Sequence, residues 1–439
     1  MKNRENRTGR SGWRFGAFVA LAAALMLGAC DFEVTNPGPV PDTRLDDVGA
    51  HEGVIQGAQF SLSIAQWQVS YMGAESAREI TRSGRNFCCP KAPPRVGDMR
   101  RAAVPSNTWN VSHRARFTAE DATRRFAEVL SEAEVGSYAL NAEARLLAGY
   151  ANRLMGENFC TAVFDGAAPE PGSAYFVRAE QAFSDAIDIG QAAGRSDIVT
   201  AAYAGRASVR GPWMGNWEGA IADAGQVPRD FVHQALYDSQ EEAHYNHMWW
   251  LGSGNPWVDW TVIDSDFESH YLDTGDPRTP WVDRERSDTP LGLAVFEQRK
   301  FTSASDNVNL SSGREMLLIR AEAALNGVGG DWEDAVAILN DLRSDLTNDF
   351  TGDPLPGLTA ANAEEAWTHL KNERRWELWL EGRRMGDLRR WIDAGTPGDM
   401  EDTTDRNRLC FPVAQSEVNN NENIDDTFED PVNPTWDGS

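Results

Sequence analysis

The chain has 439 residues, enough for one large body or for two or three domains. With 41 basic against 67 acidic residues and a pI near 4.6, it offers no basic stripe for a phosphate backbone or an anionic lipid surface, so nucleic acid is excluded as a partner. Sixteen tryptophans are a heavy load for this length. Most are expected in the core, and the surplus suits a binding surface, because indole has a flat apolar face and a single donor.

The first thirty residues state an address. Lys2, Arg4, Arg7, Arg10 and Arg14 make a basic stretch before the apolar run Phe15–Leu27, which has the length of a signal peptide and is too short to span a bilayer. The run ends in Leu27-Gly28-Ala29-Cys30, which resembles a bacterial lipobox. Cys30 is therefore expected to be the lipid-attachment residue and residues 1–29 to be removed. Acyl chains on one cysteine, each methylene contributing about 0.8 kcal/mol when buried, anchor a protein without a transmembrane helix. The removed segment has five basic residues and one acidic, so the mature chain falls from −26 to −30. Residues 30–45, with three prolines, read as an extended tether.

Cys88, Cys89, Cys160 and Cys410 remain for disulfides, which an exported compartment permits. Adjacent Cys88 and Cys89 bond to each other only with strain, so the expected bridges run from them to Cys160 and Cys410. No CxxC spacing supports a zinc site, and no metal is predicted.

From Leu45 the pattern becomes helical. Ala50–Ala65 and Ala119–Ser131 show apolar residues at three- and four-residue spacing, with Asp47 and Thr118 as candidate caps. Between them Thr81–Thr108, rich in Arg, Pro, Gly and Cys, reads as a long loop. A helix-pair pattern then recurs: Asn141–Leu154 with Ala179–Ile189, Thr200–Arg210 with Trp217–Val227 across Gly215, and Arg314–Leu325 with Trp332–Leu342 across Gly327-Val328-Gly329-Gly330. Gly215, Trp217 and Ala220 sit where tetratricopeptide repeats place a turn glycine, an aromatic and a small packing residue. Residues 228–304 break the period and hold Trp249, Trp250, Trp257, Trp260 and Trp281 among Gly, Pro and Asp turns. The predicted fold is mainly all-α, a tetratricopeptide-like helix-pair scaffold at 141–227 and 314–342 within a body spanning 46–439, with an irregular, loop-rich binding insertion and a C-terminal helix over 364–391. Asn419–Ser439 reads as a poorly ordered tail.

The segment Glu373–Trp391, ERRWELWLEGRRMGDLRRW, resembles the C-terminal signature of the SusD/RagB family, ERR.E...EG.R..DLRRW. Arg314–Ala323 is similar to a family helix, Gly275-Asp276-Pro277-Arg278 to its DPR element, and Cys410-Phe411-Pro412-Val413 with Glu417 to its closing motif. Asn419-Asn420-Asn421 departs from the usual Asn-Pro. Read alone, Glu373–Trp391 is one charged helix with Trp376, Leu380, Leu388 and Trp391 inward, an Arg384–Asp387 pair, and charges that fix packing and solvate an outer face. The resemblance implies an outer-membrane nutrient-binding lipoprotein that hands its ligand to a SusC-like TonB-dependent β-barrel transporter.

No HExxH, GxSxG, P-loop or GxGxxG in a strand-to-helix setting is present, so no motif points to an enzyme or a cofactor, although a lipid-anchored glycan hydrolase and a scaffold lipoprotein stand as alternatives. His244 and His247 lack a third metal ligand, and Asp264-Ser265-Asp266 lacks the rest of a calcium loop. What remains is recognition of a glycan or oligosaccharide, or of a peptide, by aromatic faces with polar neighbours. The regions where the resemblance implies ligand contacts hold Trp67, Tyr71 and Trp109, and Trp249, Trp250, Trp257 and Trp260. Trp257 and Trp260 lead, flanked by Gly254, Asn255, Pro256 and Asp259.

Overall fold

The computed structural model describes residues 42–83, 99, 101, 104–254, 258–287, 289, 291–403 and 408–431. The chain divides into two units, Met1–Arg44 and Leu45–Ser439, and every element below lies in the second. Cys30, Cys88, Cys89 and Trp257 fall outside the described residues.

The body is mainly helical, as the apolar spacing predicts. α1 (His51–Ser76) and α2 (Ser106–Val129) form an antiparallel pair against α3 (Ala139–Asn158). From Ser61 to Ser76 every residue of α1 except Ile64 is buried, which marks a helix enclosed on all sides. α4 (Ser173–Ala192) packs on α3, and α5 (Ser196–Arg210) packs on α4 and on α6 (Trp217–Ala224). The ring of Phe183 explains the close spacing of α3, α4 and α5. A methyl group at Gly149 or at Gly205 would stand 2.6 Å or 2.3 Å from that ring, so only glycine admits it on both sides. α8 (Gly313–Leu325) and α9 (Trp332–Arg343) repeat the pair, with Asp331 and Asp334 forming a capping box at the start of α9.

The insertion contributes short two-stranded ribbons. β1 (Thr81–Arg82) pairs antiparallel with β5 (Trp260–Thr261), β4 (Val232–Ala235) with β8 (Val308–Ser312), and β6 (Trp281–Asp283) with β7 (Phe296–Gln298). A further ribbon, β2 (Thr161–Ala162) with β3 (Glu170–Pro171), follows α3. α7 (Asp266–Thr274) starts at the cap Ser265 and ends at Gly275 in the left-handed region.

The signature segment is two helices rather than one. α10 (Ala363–Glu377) and α11 (Arg384–Asp393) flank a turn in which Leu380 and Gly382 have φ of 61° and 75°. The helix stops there because α1, the turn that follows it and α3 claim the polar groups of Leu380–Gly382. Glu79 Oε1 accepts the Leu380 N–H at 3.2 Å, Gln66 donates to the Glu381 carbonyl at 2.9 Å, and Asn158 donates to the Gly382 carbonyl at 3.1 Å. The charges do not solvate an outer face either. Glu373, Arg374, Arg375, Glu381, Arg383, Arg384, Asp387, Arg389 and Arg390 are all buried, because partners arrive from other elements. Arg383 meets Glu157 of α3 at 3.0 Å and Glu315 of α8 at 2.8 Å, and Arg389 donates to the Gly156 and Glu157 carbonyls at the otherwise open end of α3. Arg384 pairs with Glu401 at 3.0 Å, whereas Asp387 pairs with Arg374 and Arg390.

The expected disulfide pattern is also corrected. Cys160 bonds to Cys410, with Cα atoms 5.1 Å apart. Backbone bonds from Cys160 N–H to the Phe411 carbonyl (2.9 Å) and from Phe411 N–H to the Asn158 carbonyl (2.7 Å) bring the two segments side by side. α12 (Gln415–Asn420) follows this junction.

Candidate functional site

Asn246 organises the tryptophan-rich loop of the insertion. It is buried, its N–H donates to the Ala304 carbonyl at 2.8 Å, and its side-chain oxygen caps the short helix His247–Trp249 by accepting from Met248 N and Trp249 N. The chain continues through a π turn, Trp250–Gly254. Trp249 and Trp250 are half-buried, 6.0 Å apart and tilted by 43°, and Tyr245 meets Trp250 edge-on at 5.5 Å. They keep part of their surface toward solvent while their other sides rest on the core.

The other described candidates do not share that exposure. Trp260 is 1% exposed and Tyr71 is 0% exposed, so neither has a face left for a ligand. Trp260 lies flat over Gly252, where a methyl group would come within 2.5 Å of the indole, and its Nε1 has no hydrogen-bond partner. Trp67 is buried against His247 at 4.4 Å. Trp109 is buried between His113 and Phe159, and its Nε1 donates to Glu417 at 3.4 Å. An edge of Trp109 borders a surface cleft of about 370 Å³ together with Asn110, Arg114 and Phe117. These four rings are therefore core residues, which corrects the expectation that they present stacking faces.

The structure adds a row of aromatics that the sequence reading passed over. Trp281 stacks on Phe296 at 4.5 Å and 16°, Tyr271 lies 6.3 Å from Trp281, and Phe350 meets Tyr271 at 5.0 Å. Phe350 is exposed, the other three are half-buried, and β7 touches the Trp250–Gly254 turn. Glu297 beside Phe296 is held by Arg299 at 2.8 Å and Arg284 at 3.2 Å, and Tyr271 donates to Asp349 at 3.2 Å. Trp281 was visible as one of the insertion's tryptophans. Phe350 joins from 69 residues further along, and nothing in the sequence links the two.

The DPR element fixes this row to the scaffold. Arg278 bridges Asp276 at 2.6 Å and Glu373 at 2.7 Å, while His270 lies 3.1 Å from Asp276 and stacks on Trp376 at 3.9 Å. Burial by itself would raise the Asp276 pKa. Hydrogen bonds from His270 and Arg278 and the guanidinium charge outweigh it and hold the carboxyl far below its usual range.

Electrostatics at the other edge run in the opposite direction. Glu75, in the last turn of α1, is buried, and neither carboxylate oxygen has a hydrogen-bond partner. Desolvation pushes it up to about 7 against the opposing charge of Arg82, and Asp259 next to β5 rises to about 6 for the same reason. His244 lies 3.0 Å from Asp238, and His247, pushed down to about 4 by burial, lies near the Glu242 carbonyl. Among the described residues no group of three His, Cys, Asp or Glu could hold a metal, and no helix is long and apolar enough to cross a membrane.

Comparison with known proteins follows the same line. Residues 314–409 match the SusD family. Across the whole chain the fold is similar to a SusD-like protein from Bacteroides fragilis (15% identity, TM-score 0.62, covering 88% of this chain and 98% of that one). It is similar also to a surface glycan-binding protein A from Bacteroides uniformis (14%, 0.60, 86% and 98%) and to a chitin-binding SusD homolog from Flavobacterium johnsoniae (14%, 0.58, 81% and 88%). No curated protein matches. The resemblance to the SusD/RagB family read from Glu373–Trp391 is thus shown, by sequence over 314–409 and by fold over most of the chain.

Proposed function

We propose that this chain is a lipid-anchored, surface-exposed nutrient-binding protein. It captures a glycan or oligosaccharide on the face formed by Trp249, Trp250 and the Phe296–Trp281–Tyr271–Phe350 row, with Trp257 as a further contact. It then delivers the ligand to a SusC-like TonB-dependent β-barrel transporter without breaking bonds itself. The observation that carries this reading is a run of partly exposed aromatics on a SusD-like scaffold. Apolar faces of pyranose rings stack on such side chains while neighbouring carboxylates and guanidinium groups take the hydroxyls. Two of the similar structures are described as a glycan-binding and a chitin-binding protein, which favours a saccharide over a peptide. The lipobox supports the anchor at Cys30, and the similarity to the SusD family supports the outer-membrane address.

The test is recovery of the tagged, lipidated protein from gently solubilised native outer membrane, with mass spectrometry of its partners and titration of the purified chain with soluble oligosaccharides. A near-stoichiometric TonB-dependent barrel together with saccharide binding supports the reading. Partners without a barrel, or no saccharide bound, sinks it.

A further inference from the structure

A second cleft, of about 330 Å³, opens between α1 and the chain that follows β4. On one wall Gln56, Phe60 and Ser63 lie at four- and three-residue spacing on one face of α1; on the other, the chain runs from Leu236 to His244 after β4. The Trp67–His247 contact intervenes on both chain segments, beyond Phe60 on one and before Trp249 on the other. The cleft shares no lining residue with the face described above.

Its walls are pre-formed. Tyr237 donates through its hydroxyl to the Ser63 carbonyl at 2.8 Å, and its N–H donates to Asn307 at 2.9 Å. Asp238 accepts the Gln240 N–H at 2.8 Å and lies 3.0 Å from His244 Nδ1. His244 meets the Phe60 ring edge-on at 4.8 Å, which holds the ring in place while 41% of the residue remains exposed. Leu236 opposite is 57% exposed.

The chemistry of the lining selects a ligand class. Among the described residues no lysine or arginine borders the cleft, so a phosphate, a sulfate or a uronate finds no counter-charge there. The single carboxylate, Asp238, is already shared with His244, which disfavours a cation. What is offered is a phenyl face, an aliphatic side chain, the amide of Gln56, the side-chain oxygen of Gln59, whose NH2 already donates to Glu143 at 2.5 Å, and the outer oxygens of Asp238. That is a set for a neutral ring with one apolar face and a rim of hydroxyls. We propose that this cleft is a second saccharide subsite for one neutral pyranose, stacked on Phe60 and hydrogen-bonded by Gln56 and Asp238. The inference rests on the glycan-binding reading and extends it to a place where the chain could hold a neighbouring or branched unit of the same ligand.

Hydrogen–deuterium exchange of the full mature chain, with and without maltohexaose, cellohexaose or chitohexaose, tests it. Protection of peptides covering 56–64 and 236–244, beside protection at 245–300, is the expected result. Phe60→Ala removes an exposed ring and leaves the core intact; at the sugar concentration that half-protects the parent it should lose the first protection, which then needs about tenfold more sugar, while keeping the second. Protection at 245–300 alone, or a Phe60→Ala chain that still protects the cleft, overturns this inference and leaves the main reading standing. Absence of protection anywhere with all three sugars overturns both.

Discussion

Arg383 Nη2 and Glu315 Oε1 lie 2.8 Å apart with both side chains almost wholly buried, so a guanidinium from the signature turn is matched inside the protein by a carboxylate from α8. Glu157 completes the guanidinium's surroundings from α3 at 3.0 Å. Removing one member of such a set strands the remaining charge in a poor solvent for it. Glu315→Ala is expected to cost about 3–5 kcal/mol in urea unfolding, and Glu315→Gln less, since the amide retains an acceptor. A loss below about 1 kcal/mol would mean that the interior relaxes around Arg383 and that the network does not hold the helices together. Burial opposes the Glu315 charge, but Arg383, Arg153 and Arg374 together hold its pKa below the ordinary 4.5. A depressed folded pKa gives stability that is full above 4.5 and lost as pH falls, so the unfolding free energy of Glu315→Gln should vary less with pH on the acid side than that of the parent.

Cys160 and Cys410 join segments 250 residues apart in sequence. Cross-linking so long a loop restricts the unfolded chain and contributes roughly 3–5 kcal/mol. Thermal unfolding of the double Cys160→Ser, Cys410→Ser chain is expected at a clearly lower temperature than that of the parent in the absence of reductant, and reductant should bring the parent toward the variant. A peptide map under non-reducing conditions should join the peptide containing Cys160 to the one containing Cys410. Linkage of either cysteine to Cys88 or Cys89 would contradict the structure.

That pairing illustrates what the sequence could and could not convey. Helix pairs were legible because their signal is local: apolar spacing within α3, α5 or α8, and a turn glycine such as Gly215 beside Trp217. The disulfide depends on the Phe159–Phe411 bridge, a contact with no local trace. The same holds for the charges of Glu373–Trp391, which read as solvated until Glu157, Glu315 and Glu322 arrive from other helices. In the tryptophan-rich loop, sequence alone could not rank the rings by exposure. Trp249 and Trp260 stand eleven residues apart among the same turn residues, and each packs against a glycine, Gly254 and Gly252 respectively; what separates them is burial, since Trp260 is enclosed and Trp249 half-buried. The resemblance carried by the signature segment reached the fold because that segment is where the buried network concentrates.

Glu75 offers a pH test with the opposite sign to Glu315. Its folded pKa is pushed up to about 7 by desolvation, with Arg82 opposing, against an ordinary value of 4.5. The neutral form is the one that suits the fold. Its contribution is thus full below pH 4.5 and lost as pH rises through about 7. Glu75→Gln, which stays neutral, is expected to be more stable than the parent by about 1–3 kcal/mol at pH 8 and nearly equal to it at pH 4. Urea unfolding at the two pH values decides the matter; a difference that does not change with pH would show that the Glu75 carboxylate is solvated or paired in solution.

Trp249 and Trp260 provide the sharpest separation of binding from packing. Trp249 is half-buried beside Trp250 and Gly254, whereas Trp260 is enclosed over Gly252. Trp260→Ala leaves a cavity the size of an indole and should cost about 3–5 kcal/mol in unfolding free energy. Trp249→Ala gives up less buried area, and its stability loss should stay near 1–2 kcal/mol. Affinity for oligosaccharide should move the other way. Trp249→Ala is expected to weaken it about tenfold or more through the lost stacking face, whereas Trp260→Ala, measured under conditions where it remains folded, should bind with little change. Calorimetric titration of both chains against the same sugar reads the affinities, and urea unfolding reads the stabilities. If Trp260→Ala is folded and loses the sugar while Trp249→Ala retains it, the ligand approaches the loop from the side that Gly252 and Trp260 close in this structure, and the loop must open to admit it.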